Sequence, residues 1–441
     1  MTNPGADCDR RQFIAASAGA LAAAGFVPRV KADEPPASSD WRSVVTDAFA
    51  RHGEAADSEA WPALRRLFPL DDNLAYFNSA GLGPSPQHVL DTVRAEMAAL
   101  ENISESGHQR VDETRREACA LLNCEEDELA ITRSTTEGMN AIARGLPLQA
   151  GDEILLTTHE HPGGAMPWLA LARDAGLVVR TFEPGDSPDE TLELIERNLT
   201  PRTRVVSVSH VTCTTGYVLP IRRIAGLCRD RGLFSVIDGA QALGIIPVDL
   251  HHLGCDFYAT SGHKWLLGPK GTGFMYVRRG MLRTWRPTWV GAYSDEDYDL
   301  DAGVFESLPE ARAIEYGTRN TAMILGLGAA IDFVNAVGID RSAAHGRALA
   351  RRIAEGLRGR PEVQVLTPDA DGCAASILTL RLPADHMDPW QWCNTLKRDF
   401  RIRVRPVGEH GLNGVRVAAH LFNTVEEADR LISAVQQLLN S

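Results

Sequence analysis

The sequence lacks any concentration of positive charge. Its 441 residues carry a formal net charge of -13 at pH 7, with no basic tail and no internal repeat. Proteins that bind nucleic acid use a basic face to neutralise phosphates, so this charge balance argues against nucleic acid as a partner. The composition, 44% hydrophobic and 23% charged, is that of an ordinary globular protein with ample core. The length predicts two or three domains.

The N-terminus lacks a secure membrane span, because its apolar run, residues 14–27, is short and rich in Ala and Gly. The run follows the pair Arg10-Arg11 and precedes a small-residue cleavage site at Ala32, a pattern that resembles a twin-arginine export signal. The alternative is a buried N-terminal helix. We expect residues 1–32 to engage the twin-arginine export machinery and to be cleaved near Ala32. The product would be an exported or periplasmic protein without a stable membrane anchor.

Metal-binding spacings are missing as well. The cysteines are scattered and form no CxxC pair, which argues against a zinc site. The run His159-Glu160-His161 lies on a predicted extended segment, where alternate side chains point to opposite faces, and HExxH is absent. We therefore expect no metal. Exported proteins can form disulfides, but the twin-arginine route carries folded proteins, so we expect buried free thiols. The eight cysteines are Cys8, Cys119, Cys124, Cys213, Cys228, Cys255, Cys373 and Cys393.

Short β-like runs alternate with helical segments through the middle of the chain. Such alternation predicts an α/β fold with a mostly parallel seven-stranded sheet covered by helices. Ligands of such sheets bind beyond the carboxyl ends of the strands. The predicted strands are Glu128–Thr132, Glu153–Leu156, Leu177–Phe182, Thr203–Ser209, Leu233–Ile237, Asp256–Ala259 and Gly273–Val277.

Other patterns flank this alternating part. Residues 33–60 are polar and are interpreted as a linker that leads to a helix, and residues 86–103 have helical periodicity. The predicted organisation is a signal peptide (1–32), a linker with an N-terminal helical segment (33–73), a large domain (74–322) and a smaller α+β domain (323–441). The elements predicted in the last domain are a helix at Ile324–Val337, strands at Val363–Leu366, Ala375–Leu382 and Val415–Ala418, and a final helix from Val425.

A lysine and an acid occupy informative positions in the predicted sheet. Lys264 follows an apolar run and precedes a Gly/Pro-rich turn, and burial there lowers the pKa of a lysine and frees its amine to form an imine. Asp238 ends the preceding strand. Taken alone it fits a helix N-cap, a metal ligand or a polar strand end. Together, a lysine and an acid at one sheet edge are what pyridoxal phosphate (PLP) needs: an imine partner and a group that keeps the pyridine nitrogen protonated.

A phosphate site is predicted after the first of these strands. In TRSTTEGMN, the hydroxyls of Ser134, Thr135 and Thr136 precede a helical pattern, and helix N-termini bind phosphate. Ser134 and the glutamate three positions later also form a capping box, so a purely structural interpretation stays open. Ser261 and His263, just before Lys264, offer further phosphate contacts.

These motifs together resemble the class V aminotransferase family of fold-type I PLP enzymes, which includes cysteine desulfurases and isopenicillin N epimerase. The resemblance covers roughly Leu74 to Leu439, and the phrasing is most similar to sequences labelled isopenicillin N epimerase-like. It implies PLP as the cofactor. The motifs that carry it are YFNSAGLGPSP, TRSTTEGMN, SHVTCTTGYVLPI, VIDGAQALG, DFYATSGHKWLLGPKGTGFMY, EYGTRNT and GVRVAAHLFNTVEEADRL.

The resemblance implies catalytic and ring-binding roles at four positions. Lys264 matches the lysine that forms the Schiff base, and Asp238 matches the acid that pairs with the pyridine nitrogen. Gln241 matches the residue that faces the ring hydroxyl. His161 falls at the aromatic position that stacks on the ring.

It also implies the phosphate ligands. Thr135, Thr136, Ser261 and His263 match residues that bind the cofactor's phosphate. Thr318, in EYGTRNT, matches a phosphate ligand that comes from the neighbouring subunit. The implied assembly is a homodimer with shared active sites.

The C-terminal motif carries the predicted substrate-binding residues, and the chain differs there from cysteine desulfurases. Arg416 matches the arginine that binds the substrate carboxylate, a contact that suits a planar guanidinium. Arg405 is a second basic candidate, for which a surface role stays open. Cysteine desulfurases carry a sulfur-accepting cysteine on the loop before this arginine, but here RPVGEHGLNGVR contains none, which argues against persulfide transfer. Cys213 stands where desulfurases keep an asparagine beside the ring, or is a packed thiol.

The sequence therefore predicts an exported PLP enzyme that acts on an amino acid, or on the amino-acid end of a peptide-like metabolite, by amino transfer or epimerisation. A C–S lyase or an oxidative decarboxylase that tailors an exported peptide is the alternative. A PLP-fold binding protein without catalysis is a third interpretation, against which the intact set of Lys264, Asp238 and Arg416 argues.

Overall fold

The computed structural model of the chain describes residues 40–55, 57–368, 372–383 and 387–440. The predicted signal peptide, residues 1–32, lies outside these residues, as does the start of the predicted linker. Among the described helices, none is long and apolar enough to span a membrane by itself. Thr321–Val337 and Ile339–Leu357 pass that test only as a pair, and the chain bends by 74° between them.

The elements of the described chain are numbered here in chain order. The helices are α1 (Trp41–His52), α2 (Ala60–Arg65), α3 (Gln87–Ile103), α4 (Val111–Leu122), α5 (Thr135–Gly145), α6 (Pro162–Ala175), α7 (Pro188–Asn198), α8 (Ile221–Asp230), α9 (Leu250–Leu253), α10 (Thr321–Val337), α11 (Ile339–Leu357), α12 (Pro389–Phe400) and α13 (Val425–Leu439). The strands are β1 (Ala75–Tyr76), β2 (Leu129–Thr132), β3 (Glu153–Thr157), β4 (Val178–Phe182), β5 (Thr203–Ser209), β6 (Phe234–Asp238), β7 (Phe257–Ser261), β8 (Gly273–Val277), β9 (Asp295–Asp299), β10 (Val304–Ser307), β11 (Gln364–Val365), β12 (Ile377–Arg381), β13 (Ile402–Arg403), β14 (Arg405–Val407) and β15 (Gly414–Ala418).

Seven strands form the central sheet, in the order β2-β8-β7-β6-β5-β3-β4. Neighbours from β7 to β4 pair in parallel, and β8 runs antiparallel to both β2 and β7. All seven predicted strands are confirmed, each within two residues at either end. Successive strand residues such as Ala130 and Ile131 belong to different apolar clusters, so both faces of the sheet are covered. This two-sided burial explains the nearly continuous apolar sequences of these strands.

A second, antiparallel sheet follows in the order β11-β12-β15-β14. The predicted C-terminal strands and the helices at α10 and α13 are confirmed, and α11 and α12 are additional. Leu349, Leu380, Trp392 and Leu431 belong to an apolar cluster of this region. The short strand β1 pairs in parallel with β13, which joins the segment after residue 74 to the C-terminal part. The predicted domain boundaries stay a prediction.

The linker interpretation of residues 33–60 is wrong for Trp41–His52, which forms the helix α1. Asp40 caps this helix by accepting from the Arg42 N–H. Val45 and Ala48 are buried on its inner face, and the Trp41 ring stacks on His88 with centroids 4.5 Å apart. The polar residues between these positions lie on the exposed face, and this concealed the helical spacing of the apolar ones.

Candidate active site

The carboxyl ends of the parallel strands open into a cavity of about 220 Å³. It brings together ten of the eleven predicted site residues: Thr135, Thr136, His161, Asp238, Gln241, Ser261, His263, Lys264, Arg405 and Arg416. The eleventh, Thr318, lines a neighbouring cavity of about 380 Å³ within the same chain. A larger cavity of about 570 Å³ shares Ser134 and Thr136 with the first, but its lining contains neither the lysine nor the buried acid.

Lys264 lies in the turn after β7 and lines the cavity. Among the described residues, its Nζ has no hydrogen-bond partner. Burial lowers the pKa of Lys264, and the positive charges of Arg416 and Arg405 act in the same direction, while Asp238 and Cys213 oppose them. A lowered pKa increases the fraction of neutral amine, which is the nucleophilic and basic form.

The acid lies at the end of the adjacent strand, β6. Asp238 is 4% exposed, and its Oδ1 accepts from the Ala240 N–H at 2.9 Å. Burial raises the pKa of Asp238, although the charge of Lys264 and the bond from Ala240 oppose this effect. A Cβ at Gly164 would lie 2.7 Å from Oδ2, so the missing side chain leaves room beside the carboxylate. Within the described ranges, no group of three or more His, Cys, Asp or Glu residues is placed to hold a metal, and no helix begins at Asp238.

The His-Glu-His run separates into different environments. His161 is the N-cap of α6, and its Nδ1 accepts from the Gly163 N–H at 3.0 Å. Burial, followed by the charge of Lys264, lowers the pKa of His161 to about 4, so its ring is neutral and carries its proton on Nε2. His159 is buried beside Thr214 and Glu183 instead and does not line the cavity.

The phosphate-type donors lie at the N-terminus of α5. Ser134 caps this helix by accepting from the Glu137 N–H at 3.2 Å, but Glu137 accepts in turn from Arg133, so the full capping box does not form. The Thr135 and Ser261 hydroxyls lie 2.6 Å apart and share one hydrogen bond. No partner for the Thr136 hydroxyl is found in the described chain.

Two more polar side chains line the same cavity. His263 Nδ1 lies 3.1 Å from the Thr272 carbonyl, so its Nδ1–H donates there, and the Nε2 atom of the neutral ring is an acceptor that donates only when the ring takes a second proton. Gln241 is held at both ends: its Nε2 donates to the Ala80 carbonyl at 2.9 Å, and its Oε1 accepts from Trp265 Nε1 at 2.8 Å. An amide nitrogen carries two hydrogens, so one donor of Gln241 stays free.

The two arginines enter from the C-terminal sheet. Arg416 is 2% exposed, and its Nη1 donates to the Cys213 carbonyl at 2.7 Å while its Nη2 lies 3.4 Å from Asn78 Oδ1. Burial lowers the pKa of Arg416 to about 10, with a further contribution from Arg405. No carboxylate of the described chain pairs with this guanidinium, whereas Arg405 pairs with Glu409. A buried guanidinium without a carboxylate favours the binding of an anion.

Cys213 is a buried thiol in this site. It is 2% exposed, and burial raises its pKa to about 11. A thiol with this pKa is protonated at neutral pH and is a poor nucleophile. All seven described cysteines are free.

Sequence analysis missed the residues that hold the site's side chains and backbone in place. Gly83 packs against the Lys264 carbonyl, where a Cβ would lie 1.8 Å from the oxygen. Trp265 and the Ala80 carbonyl orient Gln241, and Gly163 brings α6 against Thr136. The glycines in YFNSAGLGPSP and HPGGA were visible signals, but their partners lie on distant segments.

Comparisons with known proteins agree with this geometry. The family model described as aminotransferase class-V matches residues 75–431. Isopenicillin N epimerase of Amycolatopsis lactamdurans is 35% identical, over 86% of this chain and 98% of its own. The apo structure of a cysteine desulfurase from Thermococcus onnurineus superposes with a TM-score of 0.77 at 27% identity, over 85% of this chain and 97% of its own. A mutant of C-DES with glycine covalently linked to the PLP cofactor gives a TM-score of 0.75 at 27% identity, over 84% and 98%.

Proposed function

Because the chain belongs to the aminotransferase class-V family of PLP-dependent enzymes, we propose that it removes and replaces the α-hydrogen of an amino acid, or of the amino-acid end of a peptide-like metabolite, by epimerisation or amino transfer. One observation carries this proposal. A single cavity holds the Lys264 amine, the buried Asp238 carboxylate and the Arg416 guanidinium, which lacks a carboxylate partner.

The residues of the cavity fit PLP. The open side of Asp238 at Gly164 leaves room for a ring nitrogen, and the neutral ring of His161 offers a flat face. The Thr136 hydroxyl, which has no partner in the described chain, lies in the first turn of α5, and helix N-termini bind phosphate well. Lys264, Asp238, Gln241 and the phosphate-type donors would therefore hold the cofactor. When bound, PLP withdraws electrons from the α-carbon of an attached amino acid and makes its hydrogen acidic.

The chain's own residues then supply binding and proton transfer. Arg416 binds the α-carboxylate of the substrate with two parallel hydrogen bonds, since its guanidinium is a planar two-pronged donor. Lys264 Nζ accepts the α-proton, because its lowered pKa keeps part of the amine neutral. Inversion then requires that the α-carbon receive a proton on its opposite face, whereas amino transfer requires that the proton be delivered to another atom. Burial raises the pKa of Asp238, but Lys264 and the Ala240 N–H oppose this effect and favour the charged carboxylate, which would pair with the ring nitrogen of the cofactor.

Persulfide transfer does not fit this site. The loop between Arg405 and Arg416 contains no cysteine, and Cys213 is buried with a raised pKa. A C–S lyase reaction is the second candidate, because the structure of the cystine C-S lyase C-DES in complex with its product, cysteine persulfide, also resembles this chain, with a TM-score of 0.76 at 27% identity.

The test uses the PLP-loaded protein in deuterated water with L- and D-amino acids, with and without a keto acid. NMR follows exchange of the α-hydrogen, inversion at the α-carbon and keto products. Exchange with inversion and no keto-acid requirement means epimerisation, and stoichiometric keto product means amino transfer. Release of sulfide from cysteine or cystine means the lyase reaction. If the wild-type protein exchanges no α-hydrogen, the proposal is wrong.

Matched lysine variants control this experiment. Lys264→Ala should abolish exchange, since it removes the base. Lys397→Ala removes an exposed lysine of α12 and should leave exchange unchanged. Equal exchange rates in the two variants would contradict the role given to Lys264.

We also propose that the chain acts as a homodimer in which Thr318 serves the neighbouring subunit. In support, Thr318 does not line the 220 Å³ cavity that contains Lys264 in its own chain. It lines the neighbouring cavity of about 380 Å³. Mixing inactive Lys264→Ala and Thr318→Ala subunits tests this, because a shared site would be restored in the mixed dimer. No recovery, or a monomeric mass, would overturn it.

Export is proposed on the twin-arginine pattern alone. Replacing Arg10 and Arg11 with lysine should leave the protein in the cytoplasm, since the export machinery recognises the arginine pair. Fractionation followed by immunoblotting locates the protein. Export of the Lys-Lys variant at the wild-type level would contradict the signal assignment.

A further inference from the structure

Two arginines face each other across the strands that border the cavity. In the antiparallel pairing of β14 with β15, Arg405 lies directly opposite Arg416, and both line the cavity. Like charges directly opposite each other in a sheet are destabilising. Here the cost is larger because Arg416 is almost fully buried. Such a pair indicates that anions occupy this place when the protein functions.

One of those anions belongs to the chain. Arg405 Nη2 donates to Glu409 Oε1 at 2.5 Å, whereas Arg405 Nη1 is buried and has no partner in the described chain. Burial alone would raise the pKa of Glu409, but the hydrogen bond and the charge of Arg405 outweigh it and hold that pKa below its ordinary value. Glu409 is therefore charged, and it uses only part of the donor capacity of Arg405.

The position of Glu409 allows it to leave. It begins a short turn, Glu409–Gly411, and at Gly408 and Gly411 an added Cβ would meet no atom within 4 Å. The side chains of Arg405 and Glu409 are 31% and 20% exposed. Because this ion pair is partly exposed, a competing carboxylate from solution can reach Arg405 and replace Glu409 there.

Building on the proposed function, we propose that Arg405 is a second anion site, which Glu409 occupies until the substrate supplies an anion of its own. The α-carboxylate binds Arg416, and a carboxylate in the substrate's side chain displaces Glu409 from Arg405. The substrate class is then an amino acid that carries a second anionic group. Arg405 and Glu409 determine this specificity.

Matched ligand pairs test the assignment on the PLP-loaded protein. Glutamate against glutamine, and aspartate against asparagine, differ in the side-chain charge at almost constant size. Their dissociation constants are measured from the change in the cofactor's visible absorption, which does not require turnover. Arg405→Gln should lower the preference for the acidic member by about tenfold, and Glu409→Gln should raise it by about tenfold, as expected for a partly buried charge pair.

Two further variants make the result specific. Arg403→Gln removes the same charge from an exposed position of β13 and should leave the preference unchanged. Arg405→Lys keeps a positive charge and should retain most of the preference, which separates lost charge from a disturbed fold.

Other outcomes overturn the proposal. If Arg405→Gln weakens both members of a pair equally, or Glu409→Gln leaves their ratio unchanged, the two residues form only a structural ion pair. If neutral amino acids bind and acidic ones do not, the second anion site is wrong while the proposed function stands. If no amino acid of either type alters the spectrum, the proposed function fails first.

Discussion

Gly83 shows how a single residue holds the reactive lysine. A Cβ at this position would lie 1.8 Å from the Lys264 carbonyl oxygen, and the Gly83 N–H donates to the His263 carbonyl at 2.9 Å. Since the obstructing atom belongs to the backbone, the turn that carries Lys264 must move. We expect Gly83→Ala to lower the free energy of unfolding by about 1–3 kcal/mol and to weaken PLP binding, measured by urea unfolding and absorbance titration.

Gly359→Ala is the matched control, because a Cβ there meets no atom within 4 Å and φ is not positive. Its unfolding free energy should stay within about 0.5 kcal/mol of the wild-type value. If the two variants are equally stable and bind PLP equally well, Gly83 does not fix the lysine turn.

At the residue scale, the sequence predicts the reactive side chains of the site better than the residues that hold those side chains in place. Lys264 and Asp238 drew attention because a lysine and an acid follow neighbouring apolar strands, whereas the role of Arg416 came from the family resemblance of its motif. The supports Gly83 and Trp265 act through contacts between segments far apart in the chain. Such contacts depend on the folded arrangement, so residue type alone does not reveal them.

At the element scale, a buried ion pair fixes the segment that carries Thr318. Arg115 of α4 donates to both oxygens of Glu315, at 2.6 and 3.0 Å, and the Ile131 N–H of β2 donates to the same carboxylate. Arg115 and Glu315 are 3% and 7% exposed. We expect Glu315→Ala to lower the free energy of unfolding by about 3–5 kcal/mol, because the buried Nη atoms of Arg115 lose their carboxylate and only its Nε keeps one, from Asp112.

Glu193→Ala removes an exposed ion pair with Arg197 on α7 and serves as the comparison. Glu193→Ala should lower the free energy of unfolding by less than about 1 kcal/mol. Both values follow from urea unfolding curves of the PLP-loaded protein. Similar losses in the two variants would show that the buried pair adds nothing beyond a surface pair.

The same scale explains which elements were predictable. Most strands of the central sheet are buried on both faces, and this gives them a strong and local sequence pattern, whereas the edge strand β4 is largely exposed. The hairpin of β9 and β10 escaped prediction because its strands are exposed and β9 reads Asp-Glu-Asp-Tyr-Asp, a composition that disfavours strands. In α11 the buried residues do follow a helical spacing, which the sequence analysis overlooked, and small residues such as Ser342 and Gly346 share the buried face with Leu349 and Ile353.

For the whole molecule, buried histidines couple stability to pH. His210, His345 and His420 are each at most 5% exposed, and burial lowers the pKa of each to about 4 from an ordinary 6.5. Between these values the unfolded chain binds protons that the folded chain does not. The free energy of unfolding therefore falls as pH falls through this window.

Buried acids with raised pKa values, such as Glu160 and Asp238, oppose this trend. Burial raises the pKa of Glu160 to about 7 from 4.5, so between these values the folded chain holds a proton that the unfolded chain releases. Burial also lowers the pKa of His88 and His161 to about 4, so the buried histidines outnumber these acids and leave a net loss below pH 6.5, with each uncompensated proton worth about 1.4 kcal/mol per pH unit. Urea unfolding of the PLP-loaded protein at pH 7, 6 and 5 should show this decline. Glu160→Gln removes the opposing proton and should steepen it, whereas a pH-independent midpoint in both proteins would contradict the argument.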